Sequence, residues 1–552
     1  MVLNLMRQSF ILLLSLLFLA ANSAPAAERP NIIIILVDDM GFSDLGCYGS
    51  EIPTPHIDAL AAGGVRFTRF YNAGRCCPTR AALLTGLYPH QAGVGHMTAD
   101  NGTPGYRGYL NDSCVTIAEV LRPAGYFTAT TGKWHVGHGD EARLPLQRGF
   151  DRFYGVPEGG GFYFETKAGR TVLHGNEIVM SANEPAPEGW YSTDAWSDYG
   201  LRFIDEAREV KKPFFLYLAH NAPHFPLQAL PEDIAMFRGR YRAGWDAIRE
   251  QRHTRQKELG IVSADGVLSP RDATIEAWET IDEARRDEFD LRMAIYAAVM
   301  HRLDLAIGNL VSGLKERGVL DDTLILFLSD NGSSDEGGLY GKNGAGIPGS
   351  SESDVFLGRA WANAGDTPFR LYKKNSHEGG IATPLIAHWP GGIAARGELR
   401  HDPGHIIDLM ATCVDLAGAT YPASSNDKPI TPMEGVSLKP LLTSAASVPE
   451  ATIPERTLFW EHEGNAAILV GDSKLVRQGR KGPWELYDLK TDRTELHDLA
   501  ASQPGKVREL AAQWEAWATR CHVVPLLPEG KVKGKGKGNK GKGKGKAGGD
   551  VQ

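Results

Sequence analysis

Three segments of this chain are apolar without interruption, and each runs directly into residues that carry charge or protons. NIIIILV (31–37) is followed by Asp38 and Asp39, PFFLYLA (213–219) by His220 and then His224, and TLILFLS (323–329) by Asp330 and Asn331. Runs this continuous do not suit a sheet with one wet face, so each is read as a central strand covered on both sides. Strands of that kind lie parallel and are joined by helical crossovers. Helical patterns do alternate with short apolar runs through roughly the first 420 residues. This is the signature of an α/β domain with a largely parallel sheet.

Helices are expected over TPHIDALAAGGV (54–65), across 113–125, over 296–318 and over 405–418. The stretch 232–290 is charged, arginine-rich and weakly periodic, and is read as a helical excursion on the surface. Beyond about residue 425 a Pro/Ser/Asn-rich linker leads to the strand-like TLFWEHEGNAAILV and WELYDLKT, then to a closing helix near 505–518. The domain expectation is therefore an α/β domain over 28–424 and a smaller C-terminal domain over 425–525. With 552 residues, the chain is long enough for two cores.

Both ends read as something other than packed structure. Residues 1–27, with Arg7, a short apolar run and APAA, resemble a secretory signal peptide, which makes the mature protein periplasmic or secreted. No later segment is apolar for the roughly 20 residues of a membrane span, so no transmembrane segment is expected once the signal is removed. The tail, 526–552, alternates lysine and glycine, cannot bury apolar surface and is expected to be disordered. From Gly530 to Gln552 the net charge is +7 within a chain of −8, which leaves −15 on the rest. Two readings stand for it, a solubilising end and a tether to polyanions. Six cysteines, at 47, 76, 77, 114, 413 and 521, are too few and scattered for a disulfide scaffold, although one or two bridges are allowed.

Ligands of open α/β sheets bind beyond the carboxyl ends of the strands. Asp38, Asp39, Asp330, Asn331 and a histidine would then meet at one edge, a costly concentration of charge without a cation. An all-oxygen set favours a hard ion, calcium with magnesium as the alternative. Taken singly, each of these residues is also an ordinary strand-end turn. In TATTGKWHVG, Lys133 and His135 sit two apart, which on a strand places both on one face. Lysine and histidine together suit an anionic substrate, one as fixed charge and one as proton carrier. In NAGRCCPTRAALLTG, Pro78 suits the first turn of a helix that runs to Gly86, and Cys76 and Arg80 lie one turn apart. A helix N-terminus favours anions and lowers the pKa of a thiol. These residues point to a hydrolase site that handles an anion.

CCPTRAALLTG resembles the type I sulfatase signature C-x-P-x-R followed by T-G. NIIIILVDDMGFSDLGCYG, TGKWHVG, RGFDRFYG, YSTDAWSD, NAPHFPL, SDNG, RLYKKNSHEGG and WELYDLKTDRTELHDL are similar to the same family, so the resemblance spans about residues 29–518 and looks closest to bacterial arylsulfatases. It implies the alkaline phosphatase superfamily fold: a large mixed, mostly parallel sheet sandwiched by helices, plus a smaller C-terminal α+β domain with an antiparallel sheet. It implies that a formylglycine-generating maturation enzyme oxidises Cys76 to formylglycine, whose aldehyde hydrates to a gem-diol beside calcium. Asp38, Asp39, Asp330, Asn331 and the modified residue 76 would hold the ion. One diol hydroxyl would attack sulfur and the second would later expel sulfate. Arg80 and Lys133 would steady the diol, His135 would take the proton in the elimination, and His224 and Lys373 would contact sulfate and serve the leaving oxygen. The implied substrate is a sulfate monoester, aryl or glycan, and no nucleic-acid partner is expected. His377 is a candidate pocket residue, His96, His138 and His462 are rim candidates, and His56 reads as a helix-start residue. Two rival readings stand: a phosphonate or phosphate ester hydrolase with the same modified cysteine, and a secreted glycan-binding protein that keeps Cys76 as a thiol and makes its contact through the lysine tail.

Overall fold

The computed structural model describes residues 29–182, 184–444 and 453–528. The expected signal segment and the lysine–glycine tail beyond residue 528 lie outside the described residues. The first eleven strands form one sheet: β1 (Asn31–Val37), β2 (Val65–Tyr71), β3 (Phe127–Lys133), β4 (Arg152–Val156), β5 (Thr171–His174), β6 (Glu177–Ser181), β7 (Phe214–Ala219), β8 (Thr323–Ser329), β9 (Ala382–His388), β10 (Glu398–Arg400) and β11 (Gly404–His405). Their order is β10-β2-β9-β8-β1-β7-β3-β4-β5-β6, with β11 also on β2. The core block β8-β1-β7-β3-β4 is parallel, while β9 and the β5–β6 hairpin run antiparallel to their neighbours, so the sheet is mixed and mostly parallel.

The alternation within β1 explains the two layers. Ile33, Ile35 and Val37 pack into one core with α3 (Ser192–Glu209) and α4 (Glu283–Glu316), and with α1 (Pro55–Ala62). Ile32, Ile34 and Leu36 pack into the other, with α2 (Cys76–Thr85), α5 (Asp408–Ala417) and α6 (Pro504–Arg520). All six of these β1 residues are fully buried, at roughly 1.5–3 kcal/mol per side chain removed from water.

A second sheet is antiparallel: β14 (Thr457–His462), β15 (Asn465–Val470), β16 (Ser473–Arg477) and β17 (Glu485–Asp488), in that order. A two-stranded ribbon, β12 (Ser424–Ser425) with β13 (Lys428–Pro429), precedes it. The single run TLFWEHEGNAAILV is thus a hairpin, turned at Glu463 and Gly464 with φ of 52° and 90°. Trp460 anchors this sheet on the large one, donating from Nε1 to the Asn72 carbonyl at 2.8 Å and stacking edge-on against Tyr71.

Three expectations change. The helix expected across 113–125 shortens to Ile117–Leu121, capped by Thr116 and Glu119, because Pro123 cannot continue it. The helix expected at 296 begins at Glu283, where the Asp282 side chain accepts from the Arg285 amide. The arginine-rich excursion is not confined to the surface. Arg252 is fully buried and pairs with Asp44 at 2.6 Å and Glu51 at 2.8 Å, while Trp245, Ile248 and Arg249 are buried beside it. All six cysteines are free thiols.

Candidate active site

Because β8, β1, β7 and β3 are adjacent and parallel, their carboxyl ends deliver four loops to one edge of the sheet. The antiparallel β9 starts at that same edge, so the segment that precedes it arrives there too. Asp38 and Asp39 leave β1 with the Asp38 amide bonded to the Ala222 carbonyl, and Asp330 leaves β8 with its amide on Val37. Asp39 holds φ of 69°, a left-handed value uncommon outside glycine, asparagine and aspartate.

Helix α2 carries Cys76 at its first position and is buried at all ten residues. The Thr79 hydroxyl accepts from the Ala73 amide, and Gly86, at φ of 69°, closes the helix by donating to the Ala82 carbonyl. Arg80, one turn after Cys76, has no exposed surface. Its Nη2 lies 2.8 Å from Asp330 Oδ2 and 3.2 Å from Asp38 Oδ2, and its Nη1 donates to the Lys133 carbonyl at 2.8 Å. Lys133 Nζ reaches Asp38 Oδ2 at 2.5 Å.

The strand argument for Lys133 and His135 needs correction. Lys133 is the last residue of β3, and His135 lies beyond it with φ of 57°, so a turn rather than strand alternation aims the ring. Gly159 lies against that ring: a Cβ there would sit 2.3 Å from His135 Cδ2. His224 brings Nε2 to 3.7 Å from Asp39 Oδ2, hydrogen-bonds the Phe225 carbonyl through Nδ1 and stacks on the Phe225 ring. Lys373 Nζ lies 2.6 Å from Asp39 Oδ1 and 3.1 Å from Glu336 Oε2.

No sequence motif singles out Glu336 or Arg75. Arg75 caps α2 beside Cys76 and faces Glu336 Oε1 at 3.4 Å, and Lys374 meets the same oxygen at 3.1 Å. Neither residue stands in a spacing with chemistry of its own; only its neighbours Cys76 and Asp330 could have pointed to it. Two expected histidines lie elsewhere. His220 is fully buried, with both ring nitrogens unpartnered among the described residues. His377 lines no open pocket: it is fully buried and its Nε2 meets Glu485 at 3.2 Å, tying the segment before β9 to the small sheet. His96 and His462 stack near Glu463 on the β14–β15 turn, His138 is half-buried, and His56 starts α1 with its amide on Asp304.

Electrostatics separates otherwise similar groups. Burial resists the charge on Asp38, but Lys133, His224 and Arg80 outweigh it and hold the carboxyl at about 2. Burial and the Asp38 charge push Asp330 well above the carboxylate range, against Arg80. The Cys76 thiol is held well below its ordinary value by a hydrogen bond from Cys77, with Lys133 and His135 adding to it against burial. Burial and Lys133 lower His135 to about 4, and burial lowers His224 in spite of Asp39. Lys373 stays charged because Asp39 and Glu336 outweigh its desolvation.

The donor set fits a hard cation. Asp38 Oδ1, Asp39 Oδ2 and Asn331 Oδ1 are buried acceptors with no hydrogen-bond partner among the described residues. Asn331 Nδ2 donates to Asp39 Oδ1 at 2.7 Å, which turns its carbonyl oxygen toward no protein donor. Ligand atoms of Asp38, Asp39 and His224 lie within 4.8 Å of one another. Unpaired buried oxygens cost about 1–3 kcal/mol each, a cost that a divalent ion with oxygen ligands removes.

Comparison with known proteins identifies the family. The Sulfatase family model matches residues 30–419. An arylsulfatase of Klebsiella aerogenes is 34% identical over 441 residues, covering 77% of this chain and 94% of its own. An uncharacterized sulfatase of Schizosaccharomyces pombe is 33% identical, covering 92% and 96%. Among solved structures, Ps i-CgsB in complex with k-i-k-neocarrahexaose superposes with a TM-score of 0.65 at 27% identity, covering 89% and 93%. The chain belongs to the type I sulfatases of the alkaline phosphatase superfamily, and is a sulfuric ester hydrolase.

Proposed function

We propose that this protein is an exported sulfatase whose residue 76 works as formylglycine beside a bound calcium ion, with magnesium the alternative. The observation that carries the reading is the meeting of Cys76 at a buried helix start with Arg80, Lys133 and Lys373, next to three unpartnered acceptor oxygens. Asp38, Asp39, Asp330 and Asn331, with residue 76, would hold the ion, which supplies positive charge against the sulfate oxygens. Oxidised Cys76 supplies a hydrated aldehyde, and so a hydroxyl nucleophile where a thiol stood.

The chain's own residues do the rest. Arg80, pinned between Asp38 and Asp330, and Lys133, pinned on Asp38, orient the hydroxyls at residue 76. His135, neutral near pH 7, is in the state to take a proton there. Lys373 and His224, both on Asp39, would contact the sulfate and protonate or stabilise the leaving oxygen. The residues are held in place before substrate arrives, which is the arrangement that stabilises charge in a transition state. The names of relatives, an arylsulfatase and a structure in complex with k-i-k-neocarrahexaose, support aryl sulfates or sulfated glycans as the substrate class. The sequence of residues 1–27 supports export to the periplasm or beyond, before or during which the maturation enzyme would act, and the lysine–glycine tail suits contact with polyanions.

The test is the peptide mass across residues 75–80 of full-length protein, read beside nitrophenyl sulfate turnover. The expected result is the formylglycine mass at residue 76, loss of at least about 10⁴-fold in turnover for Cys76→Ala and little loss for Cys77→Ala. An active protein with an unmodified thiol at residue 76, or a clear preference for phosphonate or phosphate analogues, would overturn the proposal.

A further inference from the structure

Cys77 has no part in the chemistry above, yet it is fully buried at the same helix start. Consecutive helical residues ordinarily point apart. Here one ligand atom each from Cys76, Cys77 and His135 lies within 4.8 Å of the others, and all three residues are buried. A fourth soft donor is adjacent, since the Cys77 thiol lies 3.8 Å from Met97 Sδ. His135 Nδ1 has no partner among the described residues, so the imidazole has a nitrogen free for coordination. Two thiols, a thioether and an imidazole stand together a few side chains from an all-oxygen cluster.

We propose that the chain as encoded, with Cys76 still a cysteine, holds a soft metal ion at Cys76, Cys77, His135 and Met97, and that copper(I) is the ion it selects. Thiolate and thioether donors prefer copper(I), zinc and similar soft ions, and imidazole accepts either. The thioether is the donor that separates them. Structural zinc is held by Cys, His and carboxylate in a closed tetrahedron, whereas methionine sulfur is a ligand of copper. Cys76, Cys77 and His135 are buried and Met97 is half-buried, which limits the water that could complete a harder coordination shell. Each thiol that coordinates forms a metal–sulfur bond and releases its proton to solvent. Two thiolates and one copper(I) leave a net −1, beside the fully buried side chains of Lys133 and Arg80.

The consequence for maturation rests on the function proposed above. Replacing the Cys76 sulfur by oxygen removes one donor from the soft cluster and adds one to the hard cluster. Residue 76 thereby changes which of two neighbouring sites it belongs to.

The experiment uses full-length protein, prepared anaerobically with residue 76 verified as cysteine by mass. Copper(I) held by a chromophoric chelator is titrated with it, and X-ray absorption reports the shell around the metal. One equivalent of copper(I) should be withdrawn, with sulfur in the shell. Cys77→Ser should weaken retention by about 100-fold or more, since even second-shell changes at metal sites cost 10–100-fold. Met97→Leu, a volume-conserving exchange at a half-buried position, is the arm that survives if the cysteine variant does not fold. It should weaken copper(I) while leaving zinc unchanged. Cys521→Ser, far along the chain, should change nothing. Failure to withdraw copper, equal affinity in the parent, Cys77→Ser and Met97→Leu proteins, or isolation of the pair as a disulfide each overturns the site. Protein with formylglycine at residue 76 should match Cys77→Ser. If residue 76 proves never to be modified, the function proposal fails while the copper arms still decide this one.

Discussion

Asp39→Asn isolates the role of charge in the oxygen cluster. Asp39 sits at φ of 69°, a region asparagine tolerates, so the exchange removes a charge and leaves the backbone as it was. Asp39 Oδ2 is one of the three buried oxygens without a hydrogen bond, and Oδ1 is occupied by Lys373 and Asn331. An ion that binds only the folded protein stabilises it by about 2.7 kcal/mol at 100 times its dissociation constant. Loss of a direct carboxylate ligand should weaken binding by at least about 100-fold, more than outer-shell changes do. At the same calcium concentration the variant would then gain only about 0.4 kcal/mol. Urea unfolding of parent and variant, each in chelator and in calcium, measures the difference directly. Asp39→Ala is the control: forcing alanine into the left-handed region should cost a further ~1–2 kcal/mol in chelator as well as in calcium. Equal calcium stabilisation of the parent and Asp39→Asn, or none in either, would refute the assignment of this cluster to a cation.

Gly132 precedes Lys133 in β3 at φ of 87°, and a Cβ there would lie 2.0 Å from the Ala219 carbonyl oxygen of β7. Gly132→Ala should therefore lose about 2–5 kcal/mol of stability and much of the activity; a urea midpoint unchanged from the parent would contradict this packing. His220 is held neutral by burial, with its pKa lowered to about 3. An unfolded histidine titrates near 6.5, so the unfolded chain binds the extra proton as pH falls from about 6.5 toward 3, and stability is lost over that window. His220→Leu should flatten the acid limb by about 1.4 kcal/mol per pH unit and change little above pH 7, measured by urea unfolding from pH 7 to 5.

Much of the architecture was legible because it is written locally. β1, β7 and β8 read as buried central strands from continuous apolar runs, and their carboxyl ends lead to Asp38, Asp39, Asp330 and Asn331, with the histidine left open between His220 and His224. The α2 helix was equally plain, with Pro78 near its start and Gly86 at its end. His135 shows the limit of such reading: its direction comes from a left-handed turn after β3, which a period of two does not encode.

By itself the sequence determined which segments must be buried, where they end and which chemistry follows them, because apolar periodicity and turn residues act over a few positions. Tertiary structure alone decided the rest. It drew Arg252 inside against Asp44 and Glu51, 208 and 201 residues away, although its local pattern is that of a solvated helix. It reversed β9 beside β8, which carries Lys373 to Asp39 and sets Glu336 between Arg75 and Lys374. It also placed the turn of a separate sheet at the rim, where Asn465 donates to the Lys374 carbonyl. A buried charge is stable only with a partner in space, and partners separated by hundreds of residues leave no mark in local spacing.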